Sequence, residues 1–578
     1  MWRTEAVSQF EMGSLVVTNS RICIRYLCPL IRRPLNHQCT QQTPKRLNIQ
    51  QYCTKNDRNP PNFTPRARTS FPRSVFAAGH AKRTAELMKR KSGADQDQDA
   101  SLGSERGRAA LREEIPDHPL SVSEWRNLKE NSSKQERFEL KMMESMLSVG
   151  TDIDVAKSLL NFVAVESGTL PYELLLRFLT LCVSGGHRAE VSDVYDIMRG
   201  CYKTLDTGAY SLLVKGLSQT ERWRETLGIL DQIKKVITPS SRNYGDAISG
   251  ACLHGDRDTA WRLYRELMDQ GLTASQETWR CLFESSDDQR EDKDELMSVL
   301  NYMRENQIYP DERLAKSIKT WFESEPDEKW RGTFSSVDLR GVCRSCAADL
   351  ESIRLTEEEY AQLKHRVVQD VIEGRDVFNK TTPEELESFK NFAKNRAAFD
   401  VVIDGLNVAN LNPKCTKSET LLAVVSELEQ QGLNILVLGR KHMLHPSRNW
   451  DRHHMNQIKH KAHCFFTENI SEDDPFLLYA ALHSGNHCNF VSRDLMRDHK
   501  ACLPDSATRR LFFKWQRGHQ LVLNNYVPGK KVQFQRTSTY DTIVQGTGHS
   551  WHIPYDEDGG ERSTYEVPQR WLCLNKEL

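Results

Sequence analysis

Between about residues 136 and 325, apolar positions recur every three or four residues, the period of amphipathic helices. The helices themselves repeat. Met198, Ile233, Met268 and Met303 lie 35 residues apart, and each closes a similar run: "VSDVYDIM", "TLGILDQI", "WRLYRELM" and "LMSVLNYM". A second register agrees. Tyr210, Tyr244, Trp279 and Leu314, spaced 34, 35 and 35, each open a companion amphipathic segment. Glycine and polar residues part the two, as in "LHGDRDTAW". A helix–turn–helix unit of this length cannot bury its apolar face alone. The pattern therefore predicts an α-solenoid of stacked repeats.

Beyond residue 399 the period changes. "FDVVID", "LNILVLGR", "KAHCFFTE" and "CNFVSRD" are short, nearly continuous apolar runs, as in strands buried on both faces. Helical segments alternate with them: "SETLLAVVSELEQQG", closed by Gly432, and "DPFLLYAALHSG", closed by Gly485. That alternation predicts a parallel sheet covered by helices. Residues 330–397 hold two helix starts, a capping box at Thr356–Glu359 and Thr382 ahead of Pro383. After about residue 525 the chain becomes loop-rich with short strands.

Composition adds targeting and redox context. The 578 residues have zero formal net charge and a mean hydropathy of −0.61. No run approaches the roughly 20 apolar residues of a membrane span. Residues 1–94 carry 17 Lys and Arg against four acids, with Ser, Thr, Gln and Pro between them. An Arg-rich, acid-poor leader predicts mitochondrial targeting, to the matrix, over a basic arm that binds RNA by charge. Residues 95–135 are polar and charged, as in a linker. The 15 cysteines are scattered, and the tight pair is Cys343-x-x-Cys346. This pattern fits a reducing or organellar compartment, not a secreted disulfide framework.

The candidate chemistry lies at the strand ends. In an open parallel sheet, sites form at the carboxyl ends of the strands. Asp404 ends the first strand, Glu472, Asp473 and Asp474 follow the third, and Asp494 ends the fourth with Asp498 a turn on. Carboxylates gathered there repel unless cations neutralise them, and oxygen donors suit Mg²⁺ or Mn²⁺. Two such ions activate a water and stabilise a leaving oxygen, the chemistry of a metal-dependent nuclease. Alone, Asp404 reads equally well as a turn cap before Gly405. Asn407 is placed to orient a ligand water or to make an Asx turn. Asp498 is placed to support the site or to pair with Arg497 or Lys500 at the surface. The basic stretch 440–461, with Trp450, is either a phosphate-holding loop or plain charged surface. His552 and Cys573 complete a Cys₃His set with Cys343 and Cys346, of structural-zinc type; the other reading is a reduced buried cysteine pair. No phosphate-cradling Gly-rich loop or Gly-x-Ser-x-Gly elbow is present.

The repeat segments resemble pentatricopeptide repeats, which read single-stranded RNA with two or three side chains per unit. The positions after the opening aromatics are Ser211, Gly245 and Arg280, a poor base code. It predicts that RNA is read by shape and backbone; a protein-binding solenoid is the alternative. "VVIDGLNVAN…SEDD…VSRDLMRDH" resembles the NYN (PIN-like) nuclease domain of protein-only ribonuclease P, and with the leader most resembles its animal mitochondrial members. The resemblance spans about residues 136–578. It implies a repeat array over 136–328, a discontinuous zinc-binding module over 329–397 and 526–578, and an inserted nuclease domain over 398–525. It also implies cleavage of the 5′ leader from precursor tRNA. The metal aspartates become Asp404, Asp473, Asp474 and Asp494, and the zinc ligands Cys343, Cys346, His552 and Cys573. Animal members resemble one another in working with a tRNA methyltransferase and a short-chain dehydrogenase. Two rival expectations are an NYN endonuclease acting on other RNA and a non-catalytic pentatricopeptide RNA-binding factor.

Overall fold

The computed structural model describes residues 115–132, 135–285, 292–325, 328–373, 382–411, 415–468, 474–524, 531–535, 537–556 and 566–576. The leader, most of the linker and Asp473 lie outside the described residues. The chain forms two compact units that part at residues 265 and 266.

The first unit is helical: α1 (Val122–Asn131), α2 (Phe138–Val149), α3 (Ile153–Ser167), α4 (Tyr172–Gly185), α5 (Arg188–Cys201), α6 (Thr207–Leu217), α7 (Glu225–Lys234), α8 (Ser241–Leu253) and most of α9 (Arg257–Asp269). The second unit opens with α10 (Gln276–Glu284), α11 (Lys293–Asn306) and α12 (Glu312–Ser324). The repeat register is written in the caps. Asp206, Ser240, Ser275 and Asp311 each accept the N–H of the third helical residue, at Ala209, Asn243, Thr278 and Leu314. Each cap satisfies an otherwise orphaned donor, worth about 1 kcal/mol. Met198, Ile233, Met303, Tyr244, Trp279 and Leu314 are buried, as their spacing predicts, while Met268 and Tyr210 of the same registers are half-buried.

A five-stranded sheet of order β4-β3-β2-β5-β6 follows, parallel throughout. Its strands are β2 (Val401–Asp404), β3 (Ile435–Arg440), β4 (His463–Thr467), β5 (Asn489–Val491) and β6 (Gln520–Leu521). Alternate residues serve opposite faces. Val401, Ile403, Ile435 and Val437 pack with Leu421, Val425 and Ile458, from α16 (Lys417–Gln430) and α17 (Arg452–Lys461). Val402, Leu436 and Leu438 pack into the second core with Phe476 of α18 (Asp474–Ser484) and Trp515 of α20 (Ser506–His519). Between these last two helices lies α19 (Arg497–Cys502).

The segment expected with the zinc module, 329–397, divides. Leu363 and Val367 of α13 (Glu357–Val367) and Leu386 and Phe389 of α14 (Pro383–Lys394) lie in the second sheet core. A parallel sheet needs both faces covered, and these apolar stripes supply part of the cover. Tyr360 strengthens the attachment by donating its hydroxyl to the Leu482 carbonyl at 2.8 Å. Both predicted caps form, at Thr356 and Thr382.

The module proper is an antiparallel sheet of order β1-β9-β8-β7, from β1 (Trp330–Ser335), β7 (Gln545–Gly546), β8 (Ser550–Pro554) and β9 (Trp571–Lys576). β1 pairs with β9, so chain from before the nuclease sheet closes on chain from after it. Among the described residues, no helix is long and apolar enough to cross a membrane.

Candidate active site and metal centre

β2 delivers Asp404 to the carboxyl edge of the sheet, opposite Leu438 of β3. The chain then turns directly into the short helix α15 (Gly405–Ala409). Glycine is required here. A Cβ at position 405 would sit 2.5 Å from the Leu438 carbonyl oxygen. Asp404 is only 6% exposed. One carboxylate oxygen accepts the Asn407 N–H at 2.9 Å, and the other accepts the Ser492 hydroxyl at 3.0 Å. The cap predicted as the plainer role of Asp404 therefore forms. It also aims the carboxylate across to the end of β5.

Ser492 joins two of the predicted acids. Besides donating to Asp404, its hydroxyl oxygen accepts the Asp494 N–H at 3.0 Å. Asn407 adds a second tie between the strand ends, its side-chain oxygen accepting the Arg493 N–H at 2.9 Å. Asp494 is half-buried and accepts the Met496 N–H at 2.6 Å, which shapes the entry into α19. Met496 takes a left-handed backbone conformation there, φ 47°. Asp474 opens α18 and lies 3.3 Å from His499 Nε2. Asp473 is outside the described residues, as is the Asp498 side chain. Asp404, Asp474 and Asp494 belong to no group of three with ligand atoms within 4.8 Å of one another; among the described residues that tightness is reached by the cysteine and histidine set.

In that set, Cys343, Cys346, His552 and Cys573 offer ligand atoms all within 4.8 Å of one another. Cys346 Sγ lies 3.2 Å and Cys573 Sγ 3.7 Å from His552 Nε2. The sheet register explains the convergence, because His552 of β8 and Cys573 of β9 are direct cross-strand neighbours. Cys343 and Cys346 come from a tight turn in which Ala347, at φ 59°, donates its N–H to the Cys343 carbonyl. The Cys573 and His552 side chains hold the Cys343 thiol well below its ordinary range, against the effect of burial. A thiolate in a buried Cys₃His set fits a tetrahedral zinc, where ligand atoms about 3.3–3.8 Å apart are expected from Zn–S and Zn–N lengths. It fits a reduced apolar cysteine pair poorly.

The RNA candidates diverge. Ser211 donates to the Thr207 carbonyl and accepts from Asn243, so its hydroxyl is engaged within the array. Gly245 is buried in α8. Arg280 is paired with Glu277 and Glu284, and it lines a cavity of about 630 Å³ with Arg313, Lys316 and Trp321. In the basic stretch, Trp450 is buried in the first sheet core and makes no exposed stacking surface. The sequence reading passed over Ser492 and His499. A serine at a strand end and a histidine among charges carry no spacing signal. Only the sheet topology brings them to the acids.

This combination of helical repeats, a stapled antiparallel module and strand-end carboxylates defines a repeat-bearing metallonuclease class. The description "Protein-only RNase P" matches residues 337–573. Over 466 residues the chain is 51% identical to the mitochondrial ribonuclease P catalytic subunit of Mus musculus, covering 80% of each chain. It is 49% identical over 504 residues to that of Rattus norvegicus, covering 87% of this chain and 84% of the relative. The crystal structure of nuclear proteinaceous RNase P 2 from A. thaliana shares the fold, with 19% identity, 76% of this chain and 99% of that one covered, and a TM-score of 0.55. The chain belongs to the protein-only ribonuclease P family. It is a metal-dependent endoribonuclease that removes the 5′ leader of precursor tRNA, and it is mitochondrial, as the leader predicts.

Proposed function

We propose that the chain cleaves mitochondrial precursor tRNA in the matrix by two-metal phosphodiester hydrolysis, with Asp404, Asp473, Asp474 and Asp494 as metal ligands. The observation that carries this reading is the Ser492 hydroxyl, which ties Asp404 to Asp494 across two strand ends. Mg²⁺ or Mn²⁺ bound there supplies an activated water and neutralises the leaving oxygen. The chain's own part is positioning. Asn407 and Ser492 fix the Asp404 carboxylate, Met496 orients Asp494, and burial keeps bulk water from competing for Asp404. Hydrolysis leaves a 5′-phosphate on the tRNA and a 3′-hydroxyl on the leader. Zinc at Cys343, Cys346, His552 and Cys573 holds the module that frames the nuclease sheet. The repeats grip folded tRNA by shape, consistent with the poor base code at Ser211, Gly245 and Arg280. Kinship with the rodent mitochondrial subunits favours work alongside a tRNA methyltransferase and a short-chain dehydrogenase.

The test is cleavage of 5′-labelled precursor tRNA in Mg²⁺ by the chain from residue 95 onward, with and without both partner proteins. Cleavage at the mature 5′ end, lost in Asp474→Asn, is expected. Activity only with the partners supports the three-component reading. TRNA binding without cleavage under every condition would refute the site assignment.

A further inference from the structure

α19 is six residues long, yet it touches the candidate site twice and the last repeats once. At its start, Met496 donates its N–H to the Asp494 carboxylate at 2.6 Å, and the Lys500 N–H bonds the Met496 carbonyl at 3.0 Å. In its middle, His499 lies 3.3 Å from Asp474. At its far side, Lys500 Nζ donates to Gln307 Oε1, while burial and nearby Arg509 hold its amine well below the ordinary lysine range. Gln307 caps α11 in a left-handed conformation, φ 52°, and is 1% exposed. Lys500 is 4% exposed and lies over the Phe513 ring of α20 at 5.3 Å. In the sequence "RDHKAC" it reads as an ordinary solvated lysine. A lysine buried at this depth is costly unless its donors are met. The C-terminal turn of α11 supplies both an acceptor and the negative end of the helix dipole.

We propose that Lys500 is a positioning residue for the nuclease site, locking α19 to the end of α11 so that Asp474 and Asp494 keep their catalytic placement. The proposal rests on the metal-site reading above. Two hydrogen bonds separate the Lys500 backbone from the Asp494 carboxylate, and the neighbouring residue meets Asp474. A shift of the α11 end thus reaches both acids through one short helix.

Replacing Lys500 alone leaves the buried Gln307 Oε1 without its donor and costs stability, whereas replacing both partners by apolar groups is close to neutral. Lys500→Met, compared with Lys500→Met/Gln307→Met, therefore separates positioning from folding. The full chain, with its two partner proteins present, is assayed for single-turnover cleavage of precursor tRNA across a Mg²⁺ titration. Thermal unfolding and tRNA affinity are measured alongside. In Lys500→Met the cleavage rate is expected to fall about 10- to 100-fold, the scale of a displacement near 1 Å. The Mg²⁺ half-saturation rises and tRNA affinity is unchanged; Tm falls modestly in Lys500→Met and recovers in the double variant, while the rate stays low in both. Lys500→Arg, which keeps a donor toward Gln307, recovers part of the rate. Wild-type rate and Mg²⁺ dependence in Lys500→Met would overturn the proposal. So would a rate loss that merely follows a loss of Tm in both variants. Asp494→Asn distinguishes the two levels. If it is inactive while Lys500→Met is normal, the proposal alone fails; if it is fully active, the metal-site reading fails and the proposal with it.

Discussion

Ser492→Ala removes an oxygen and little else, and its effect can be worked from the site. The Ser492 hydroxyl is buried, donates to the Asp404 carboxylate at 3.0 Å and accepts the Asp494 N–H at 3.0 Å. A hydrogen bond to an ionised acceptor is worth about 1.5–3 kcal/mol, and the bond from the Asp494 amide about 1 kcal/mol. Together they amount to about 2.5–4 kcal/mol. If all of it is expressed in the transition state, the rate falls between about 60- and 700-fold at 1.4 kcal/mol per factor of ten. Whatever part is expressed in folding instead appears as reduced stability. Single-turnover cleavage against Mg²⁺ concentration, with denaturant unfolding in parallel, divides the two. The expected result is a raised Mg²⁺ half-saturation and a lowered plateau, with tRNA affinity unchanged. Ser492→Thr keeps the hydroxyl and suits a strand end, so it should stay within a few-fold of wild type. A Ser492→Ala enzyme with normal rate at every Mg²⁺ concentration would refute the claim that this hydroxyl organises the two acids.

Further outcomes follow from other parts of the molecule. Cys573→Ser should abolish stoichiometric zinc in elemental analysis and leave 537–576 sensitive to protease, since structural zinc contributes about 10–16 kcal/mol in small domains; full zinc occupancy in this variant would remove the Cys₃His assignment. Gly405→Ala places a methyl 2.5 Å from the Leu438 carbonyl oxygen, and backbone cannot rotate away as a side chain would. It should lower unfolding stability by about 1–3 kcal/mol and cleavage with it, and an unperturbed midpoint in denaturant would show that the β2–α15 turn has slack. Burial pushes the Asp246 carboxyl up to about 6, against the pull of Lys215 and Arg242. The folded state then holds more protons than the unfolded state between the ordinary 3.8 and about 6, so stability falls as pH rises through that window. Asp246→Asn should raise Tm near pH 7.5 by the equivalent of about 1–3 kcal/mol and change it little near pH 4; equal shifts at both values would contradict the burial argument.

The sequence made the long-period features legible and the short-range chemistry less so. A 35-residue register survives because each unit must bury the same face, and the caps at Asp206, Ser240, Ser275 and Asp311 repeat it independently. The parallel sheet was legible because strands covered on both faces are continuously apolar, as in "VVID" and "ILVLG". Strand-end acids were visible for the same reason, since a charge after such a run has no packing role. What escaped were contacts made by topology. Ser492 matters only because β5 lies beside β2, and Lys500 only because α19 meets α11. Trp450 sits in a stretch that reads as a phosphate-holding loop or charged surface, but it shares a core with Met455 and Ile458 and is drawn inward. The antiparallel module was hard to see because "WRGTFS" and "SWHIP" alternate weakly, and their partners lie far along the chain. Helices α13 and α14 were assigned to that module by their place in sequence, whereas their apolar stripes belong to the sheet.

The β1–β9 pairing has a bearing on when the enzyme becomes whole. Cys343 leaves the ribosome 230 residues ahead of Cys573, a wait of roughly ten seconds to a minute at ordinary synthesis rates of about 5–20 residues per second. Until β8 and β9 emerge, β1 has no strand to pair with and the Cys343 and Cys346 half of the staple lacks its other two donors. By then the strands of the nuclease sheet between them have been synthesised. Cys573 in β9 thus joins the set after the other three donors, and a chain that stops before it keeps the strand-end acids without the clasp. Synthesis as far as β9 becomes a condition for closing the antiparallel sheet that flanks the cutting domain.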